Sequence, residues 1–179
     1  MAAPLVRDAS PDDARAIAET RARSWASAYD HVFPPEALEA LREESELGRA
    51  TAWWRQRIEQ PAANLHVLVA SRAGDVLGFA SVGQVAEEGT ESDDVGELYT
   101  IYVRPEAWGD GIGRALMSEA LARLRGEGLR EAILWVLEDN PRTRRFYELS
   151  GWSADGGVKE EEWLGAVISE VRYRIALDA

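Results

Sequence analysis

The sequence predicts a single α/β domain over residues 1–179, built on a mixed sheet with helices on both faces. Two observations support this fold class. Segments with strand-type apolar patterns alternate along the chain with segments whose apolar residues recur at helical spacing. The length of 179 residues fits one domain, and neither an internal repeat nor a low-complexity linker divides the sequence.

The first part of the chain begins with one strand and continues with helices. A short strand is predicted at 5–9. Ser10 and Pro11 then begin a helix, because serine is a favoured N-cap and proline suits the first helical position. This helix is expected to extend to about Tyr29. A double proline then breaks the chain, and further helical segments extend to about Glu59.

The second part of the chain is dominated by strand patterns. The predicted strands span 65–70, 76–85, 95–103, 132–137 and 171–177. The sequence Ala-Gly-Asp at 73–75 predicts a hairpin turn between the first two. A helix follows the third strand, because apolar residues recur at helical spacing at Ile112, Leu116, Ala120 and Leu124. Gly126 fits the C-terminal cap of this helix, and Asn140 begins a shorter helix that ends near Gly151.

The composition excludes several classes of function. The chain has no cysteine, which excludes disulfides, thiolate metal sites and a cysteine nucleophile. The net charge of −12 disfavours binding to nucleic acid. No apolar run approaches the ~20 residues of a membrane span, and the first residues lack a signal-peptide pattern. We therefore expect a cytoplasmic protein without a metal, a membrane anchor or a nucleic-acid partner.

The charge is distributed unevenly. Residues 104–147 carry eight arginines against seven acids, a net charge of +1, which leaves −13 for the rest of the chain. Such a neutral region in an acidic protein is a first indication of a functional segment. Ordinary charges on helix faces are the alternative explanation.

A glycine-rich segment follows the third of these strands. Gly109, Gly111 and Gly113 alternate with other residues just before the predicted helix. Glycine lets the backbone approach a ligand closely, and the first N–H groups of a helix have no intrahelical acceptor, so this segment suits a pyrophosphate. A flexible turn is the alternative. Neither the Walker loop nor the dinucleotide fingerprint fits. The Walker loop requires lysine after its last glycine, and the dinucleotide fingerprint requires a third glycine three residues after Gly111, but Arg114 occupies both positions.

The glycine-rich segment and its surroundings resemble the GNAT superfamily of N-acetyltransferases. Residues 97–105 are similar to that family's fourth strand, and residues 109–116 to its phosphate loop and third helix. Residues 134–152, with the pairs Phe146-Tyr147 and Gly151-Trp152, are similar to its fifth strand and fourth helix. Three motifs in the right order make the resemblance specific. It is strongest from Glu97 to Trp152.

The resemblance implies a mostly antiparallel sheet whose central strands splay apart, with acetyl-CoA as cosubstrate lying in the gap. It assigns cofactor contacts to Ile101, Tyr102 and Val103 on the fourth strand, to Trp108, Gly109, Asp110, Gly111, Ile112, Gly113, Arg114 and Ala115 in the loop, and to Asn140. An N-cap role explains Asn140 almost as well. The sequence departs from the family pattern at Trp108, where Gln or Arg is usual, and Arg114 or Arg104 is expected to substitute in part for the lost charge.

By the same resemblance, Glu97 is the general base and Tyr147 the general acid. A carboxylate can remove the proton of an ammonium group whose pKa is near ~10.4, and a phenol can protonate the departing thiolate. A solvated carboxylate is the alternative for Glu97, and packing beside Phe146 is the alternative for Tyr147. Without cysteine, acetyl transfer would be direct, in a ternary complex.

The acceptor site is predicted less directly. Trp25, Tyr29 and Phe33 lie in the segment that usually walls the acceptor site in this family, although a role in the core explains them as well. Six acids occur among residues 87–97, without a basic residue. This run predicts a mouth that attracts amines, with a solvated loop as the alternative.

The sequence thus predicts an acetyl-CoA-dependent N-acetyltransferase that acts on a primary amine of a small molecule or a peptide. The alternative is a non-catalytic sensor or partner protein that binds acyl-CoA. The presence of Glu97 and Tyr147 favours the enzyme, whereas Trp108 mildly favours the sensor. The resemblance leaves a homodimer open.

Overall fold

The structure is a computed structural model that describes residues 3–62, 64–85 and 94–177. The strands are β1 (Leu5–Asp8), β2 (His66–Arg72), β3 (Asp75–Gln84), β4 (Val95–Val103), β5 (Glu131–Leu137), β6 (Ser153–Trp163) and β7 (Ala166–Ala176). The helices are α1 (Ala14–Ala28), α2 (Pro35–Ala40), α3 (Glu44–Glu59), α4 (Ile112–Gly126) and α5 (Pro141–Leu149). Short 3-10 turns occur at Pro11–Asp13 and Pro105–Ala107.

The seven strands form one sheet in the order β1-β2-β3-β4-β5-β7-β6. Every neighbouring pair is antiparallel except β4 and β5, which are parallel. The mixed, mostly antiparallel sheet that the sequence predicts is therefore confirmed.

Helices cover both faces of this sheet, as predicted. On one face, the apolar stripe of α4 is fully buried, including Ile112, Leu116 and Leu124. On the other face, α1 and α3 bury Ile17 and Trp54 against the sheet. The periodicity of α4 was thus sufficient to predict which of its residues enter the core.

The central strands separate after a short contact. Strand β4 pairs with β5 only through the partners Val95–Glu131, Gly96–Ala132 and Glu97–Ile133. On its other side, β4 carries one extra residue, Tyr99, because Ser81 pairs with Thr100 while Val82 pairs with Leu98. Such a bulge bends its strand and increases the local twist. The splay of the central strands is confirmed, and it opens a gap beyond Glu97.

The start of the first helix differs from the expectation. The predicted single helix begins instead as the 3-10 turn Pro11–Asp13, which leads into α1. The Asp13 carboxylate accepts hydrogen bonds from the Ser10 N–H and hydroxyl at 2.7 and 2.9 Å and from the Arg7 guanidinium at 2.7 and 2.9 Å. The hydrogen bonds from Arg7 lower the pKa of Asp13 to about 2. These contacts close the first turn tightly.

The end of the chain also differs from the expectation. The strand predicted at 171–177 belongs to a longer hairpin of β6 and β7. Strand β6 was not predicted, because it lies at the edge of the sheet, is largely exposed and so lacks apolar alternation.

The end of α4 differs slightly from the expectation. Gly126 is the last residue of α4 rather than its cap, and Gly128 adopts the left-handed conformation with φ +79°.

Candidate active site

A cavity of about 1070 Å³ occupies the gap between β4 and β5. It exceeds the usual upper range for one small ligand, so there is room for a cofactor and a second reactant. Many of the residues predicted for the site line it: Tyr29, Glu97, Ile101, Tyr102, Val103, Trp108, Gly109, Gly111, Gly113, Arg114, Asn140 and Tyr147. The others, Trp25, Phe33, Asp110, Ile112 and Ala115, do not belong to this lining.

The glycine loop forms one end of the cavity. Gly109 and Gly111 have φ values of +91° and +83°, a left-handed conformation that glycine adopts without strain. The first N–H groups of any α-helix have no intrahelical acceptor. Gly111 is the N-cap of the 15-residue helix α4 and provides no side-chain acceptor for them either. Together with the helix dipole, these groups at the cavity wall are suited to an anion.

The edge of β4 supplies further backbone groups. The N–H of Arg104 donates to the Leu77 carbonyl of the preceding strand at 2.8 Å. Because hydrogen-bonding direction alternates along an antiparallel strand, the polar groups of Val103 and Ile101 face the gap. The indole N–H of Trp108 donates to the Val103 carbonyl at 2.8 Å. By the same alternation, the N–H groups of Ile101 and Val103 point toward the cavity.

Trp108 is associated with a charge that the sequence analysis missed. The guanidinium carbon of Arg142, on α5, lies 3.9 Å from the centre of the Trp108 ring, a cation–π contact. Both residues line the cavity beside the glycine loop. Arg104 instead donates to the Thr20 hydroxyl at 3.3 Å and does not line the cavity, whereas Arg114 does. The spacing of Arg142 from the loop in sequence gave no indication of this stacking.

Asn140 has one polar atom in use and one unpaired. Its Oδ1 accepts the N–H of Thr143 at 3.1 Å, which confirms its role as the N-cap of α5. The residue is only 5% exposed, and its Nδ2 makes no hydrogen bond within the part of the chain that the structure describes, although the Tyr29 hydroxyl lies close to it. A buried donor without a partner at the wall of a cavity is suited to a ligand carbonyl.

Glu97 lies at the point where β4 and β5 part. It is the last β4 residue paired with β5, and its half-buried side chain lines the cavity. The bulge at Tyr99 follows two residues later, and the Tyr99 hydroxyl donates to the backbone carbonyl of Gln84. The Glu97 backbone is thus paired with Gly83 of β3 and Ile133 of β5, next to the opening between the strands.

Tyr147 also lines the cavity and lies on α5. Its ring packs at 5.5 Å from Phe146 and at 6.3 Å from both Trp152 and Tyr173. Burial raises the pKa of Tyr147 well above its usual range, so the phenol stays protonated at physiological pH. Both the packing predicted as an alternative and an available proton donor are present.

The aromatic residues predicted for the acceptor side separate into two layers. Tyr29 lines the cavity, and burial raises the pKa of its hydroxyl well above normal. Trp25 lies behind it, with ring centres 5.2 Å apart, and Phe33 stacks on Trp25 at 5.7 Å. Trp163, which the sequence analysis did not single out, stacks on Trp25 at 5.5 Å and lines the cavity.

Most of the acidic run at 87–94 lies outside the described residues, so the predicted amine-attracting mouth stays a prediction. Asp94 is described, and its carboxylate lies 3.6 Å from the Arg130 guanidinium. In the ranges 3–62, 64–85 and 94–177, no cluster of three potential metal ligands occurs. Within the same ranges, no helix has the length and apolar character to span a membrane.

Comparison with known proteins identifies the fold and the family. The sequence profile described as Acetyltransferase (GNAT) family matches residues 22–152, which is most of the chain and includes the glycine loop, Glu97 and Tyr147. The chain belongs to the GNAT acetyltransferase family. The resemblance seen in the sequence is therefore confirmed.

Two GNAT relatives illustrate the similarity in sequence. The uncharacterized N-acetyltransferase YuaI of Bacillus subtilis (strain 168) is 33% identical over 137 residues, which are 76% of this chain and 73% of that protein. A mycothiol acetyltransferase of Geodermatophilus obscurus is 35% identical over 146 residues, 80% of this chain. The match spans 42% of that relative, less than half of its length.

A solved GNAT structure illustrates the similarity in fold. The PaiA N-acetyltransferase of Thermoplasma acidophilum, in complex with coenzyme A, superposes with a TM-score of 0.69 at 22% identity. The match covers 95% of this chain and 98% of that one. The same sheet and helix arrangement thus accommodates coenzyme A in that protein.

Proposed function

We propose that this GNAT protein transfers the acetyl group of acetyl-CoA directly to a primary amine of a small molecule or peptide, within a ternary complex. The observation that carries the proposal is the gap between β4 and β5, whose lining includes an anion-binding loop, a carboxylate and a protonated phenol. Holding two reactants in one such cavity can lower a barrier by ~7–11 kcal/mol.

The residues present fit acetyl-CoA. The N-terminus of α4 and the left-handed Gly111 suit the pyrophosphate, and the unpaired Nδ2 of Asn140 suits a carbonyl of the pantetheine arm. The guanidinium of Arg142, held on the Trp108 ring, supplies the positive charge that the family usually carries at position 108. Acetyl-CoA, when bound, supplies an acetyl group activated as a thioester.

Two side chains would move the protons. Glu97 accepts a proton from the acceptor ammonium, directly or through a water molecule, because only the neutral amine has a lone pair for attack. Tyr147 donates its phenolic proton to the departing sulfur. Tyr147 is protonated at physiological pH, as a donor must be when the thiolate forms, although its raised pKa makes it a weaker acid than a free phenol.

An acceptor screen tests the proposal. Purified protein is mixed with saturating acetyl-CoA and a panel of primary amines, and free thiol release is measured. We expect turnover with at least one amine and a loss of 100-fold or more for Glu97→Gln. The matched control is Glu106→Gln, on the exposed turn after β4.

A negative screen would be informative as well. Tight binding of acetyl-CoA without thiol release for any amine would favour the acyl-CoA-binding sensor. Equal loss of activity in Glu97→Gln and Glu106→Gln would remove Glu97 from the role of base.

A further inference from the structure

The cavity contains a buried carboxylate that the proposed reaction does not use. Glu170 lies on β7, where it pairs with Leu137 of β5 and Lys159 of β6. It is 5% exposed and contributes to the lining of the cavity. Glu170 follows the buried Ile168 by two residues, so both side chains lie on the sheet face that carries α1.

The positive charge next to Glu170 is shared. The Nζ of Lys159 lies 3.4 Å from the Glu170 carboxylate but 3.0 Å from the carboxylate of Glu161. It also lies 4.6 Å from the centre of the Trp135 ring. In the part of the chain that the structure describes, Lys159 is the one cationic side chain in an ion pair with Glu170. A buried carboxylate that shares its counter-ion with another carboxylate is stabilised when a second cation binds next to it.

The surroundings of Glu170 suit an organic cation rather than a metal ion. The rings of Trp135, Trp163 and Tyr29 line the same cavity as Glu170. Aromatic faces bind ammonium groups by cation–π attraction and accept apolar chains. A carboxylate among aromatic rings thus provides recognition for both parts of an alkylammonium or arylalkylammonium ion.

We propose that Glu170 is the specificity-determining residue for the acceptor: its carboxylate pairs with the ammonium group of the incoming amine before Glu97 removes the proton, while the neighbouring rings hold an apolar body. The substrate class is therefore cationic primary amines with an aliphatic or aromatic chain. This inference rests on the proposed function and adds the class of acceptor to it.

The pairing gives amine binding a defined dependence on pH. The titratable groups facing Glu170 are Lys159 and Glu161 of β6, Tyr29 at the end of α1 and Tyr102 of β4. Burial raises the pKa of Glu170, so its carboxylate loses its charge, and with it the amine, as pH falls through that raised value. Lys159→Met removes the nearby positive charge and moves this loss to higher pH.

A binding experiment on the full chain tests the inference without turnover. The probes are phenethylamine and its uncharged analogue 2-phenylethanol, titrated in the presence of coenzyme A and followed by calorimetry. We expect the amine to bind at least tenfold more tightly than the alcohol. Glu170→Gln should abolish that preference, while affinity for acetyl-CoA and for the alcohol stays within twofold of wild type. Glu160→Gln, exposed on the adjacent strand, is the matched control and should keep the preference.

The outcomes separate this inference from the proposed function. A wild-type protein that binds amine and alcohol equally, or a folded Glu170→Gln variant that keeps the preference, overturns the role of Glu170. An unchanged pH profile of amine binding in Lys159→Met does the same. Amine binding that depends on Glu170 without any thiol release would contradict the proposed acetyl transfer and leave the recognition site supported.

Discussion

Replacing Gly111 by valine tests whether the glycine loop binds acetyl-CoA. Gly111 has a φ of +83° and forms the N-cap of α4 at the cavity wall. A Cβ at this position would meet just one protein atom within 4 Å, the Nη2 of Arg114 at 3.8 Å. The protein itself therefore leaves room for a side chain there, on the surface where the cosubstrate is expected.

The two costs of this substitution are similar in size but can be separated, because one lowers the free energy of unfolding and the other lowers the affinity for acetyl-CoA. A side chain in the left-handed conformation reduces the free energy of unfolding by about 1–2 kcal/mol. The valine methyl groups would stand between the ligand and the N–H groups at the start of α4. We expect acetyl-CoA to bind at least tenfold more weakly, which corresponds to about 1.4 kcal/mol.

The assay is calorimetric titration of acetyl-CoA, together with urea unfolding. Gly74→Val is the matched control, because Gly74 has a similar φ of +90°, has open space around it and lies in the hairpin turn before β3. This control should lose similar stability and bind acetyl-CoA normally. A folded Gly111→Val protein with an unchanged dissociation constant would remove the loop from the site, and an equal loss in Gly74→Val would attribute the effect to strain.

Three further perturbations test other parts of the molecule. Tyr147→Phe should lower turnover at least 30-fold in steady-state kinetics, while calorimetry should show a nearly unchanged affinity for acetyl-CoA. The turnover of the control Tyr173→Phe, at a position outside the cavity lining, should stay within threefold of wild type. Arg142→Gln should weaken acetyl-CoA binding by three- to tenfold, with a smaller effect at 1 M salt, where charges on the Trp108 ring are screened. Asp13→Asn should cost about 2 kcal/mol at pH 7. Because the pKa of Asp13 is lowered to about 2, that stabilisation is present above pH ~4 and is lost as pH falls toward 2, and urea unfolding at pH 6 and pH 3 should show the difference between the proteins shrinking.

The sequence was sufficient to predict the parts of the fold that depend on local pattern. The hairpin turn before β3 is formed by Ala73 and Gly74, which both adopt positive φ. Helix α4 begins at Ile112, directly after Gly111, because the apolar stripe and the glycine-rich segment indicate the same boundary. In each case, a short run of neighbouring residues determines the structure.

The parts that were not predicted depend on contacts between distant segments. The bulge at Tyr99 arises from the register of two strands and leaves no signature within either strand. Arg142 reaches Trp108 only because α5 returns to the glycine loop. Glu170 directly precedes the strand predicted at 171–177 and was not singled out, whereas the structure places it between β5 and β6, where it is buried.

The short contact between β4 and β5 divides the sheet mechanically. Three residue pairs connect these strands, whereas seven connect β3 to β4 and seven connect β5 to β7. The sheet therefore consists of two extensively hydrogen-bonded panels, β1 to β4 and β5 to β7, which are joined within the sheet by the short β4–β5 contact. A cosubstrate lying across the gap would bridge both panels, so part of its binding free energy would appear as resistance of the whole sheet to unfolding. For this protein, heating or limited proteolysis should reveal cosubstrate occupancy more clearly than any change in the overall shape of the molecule.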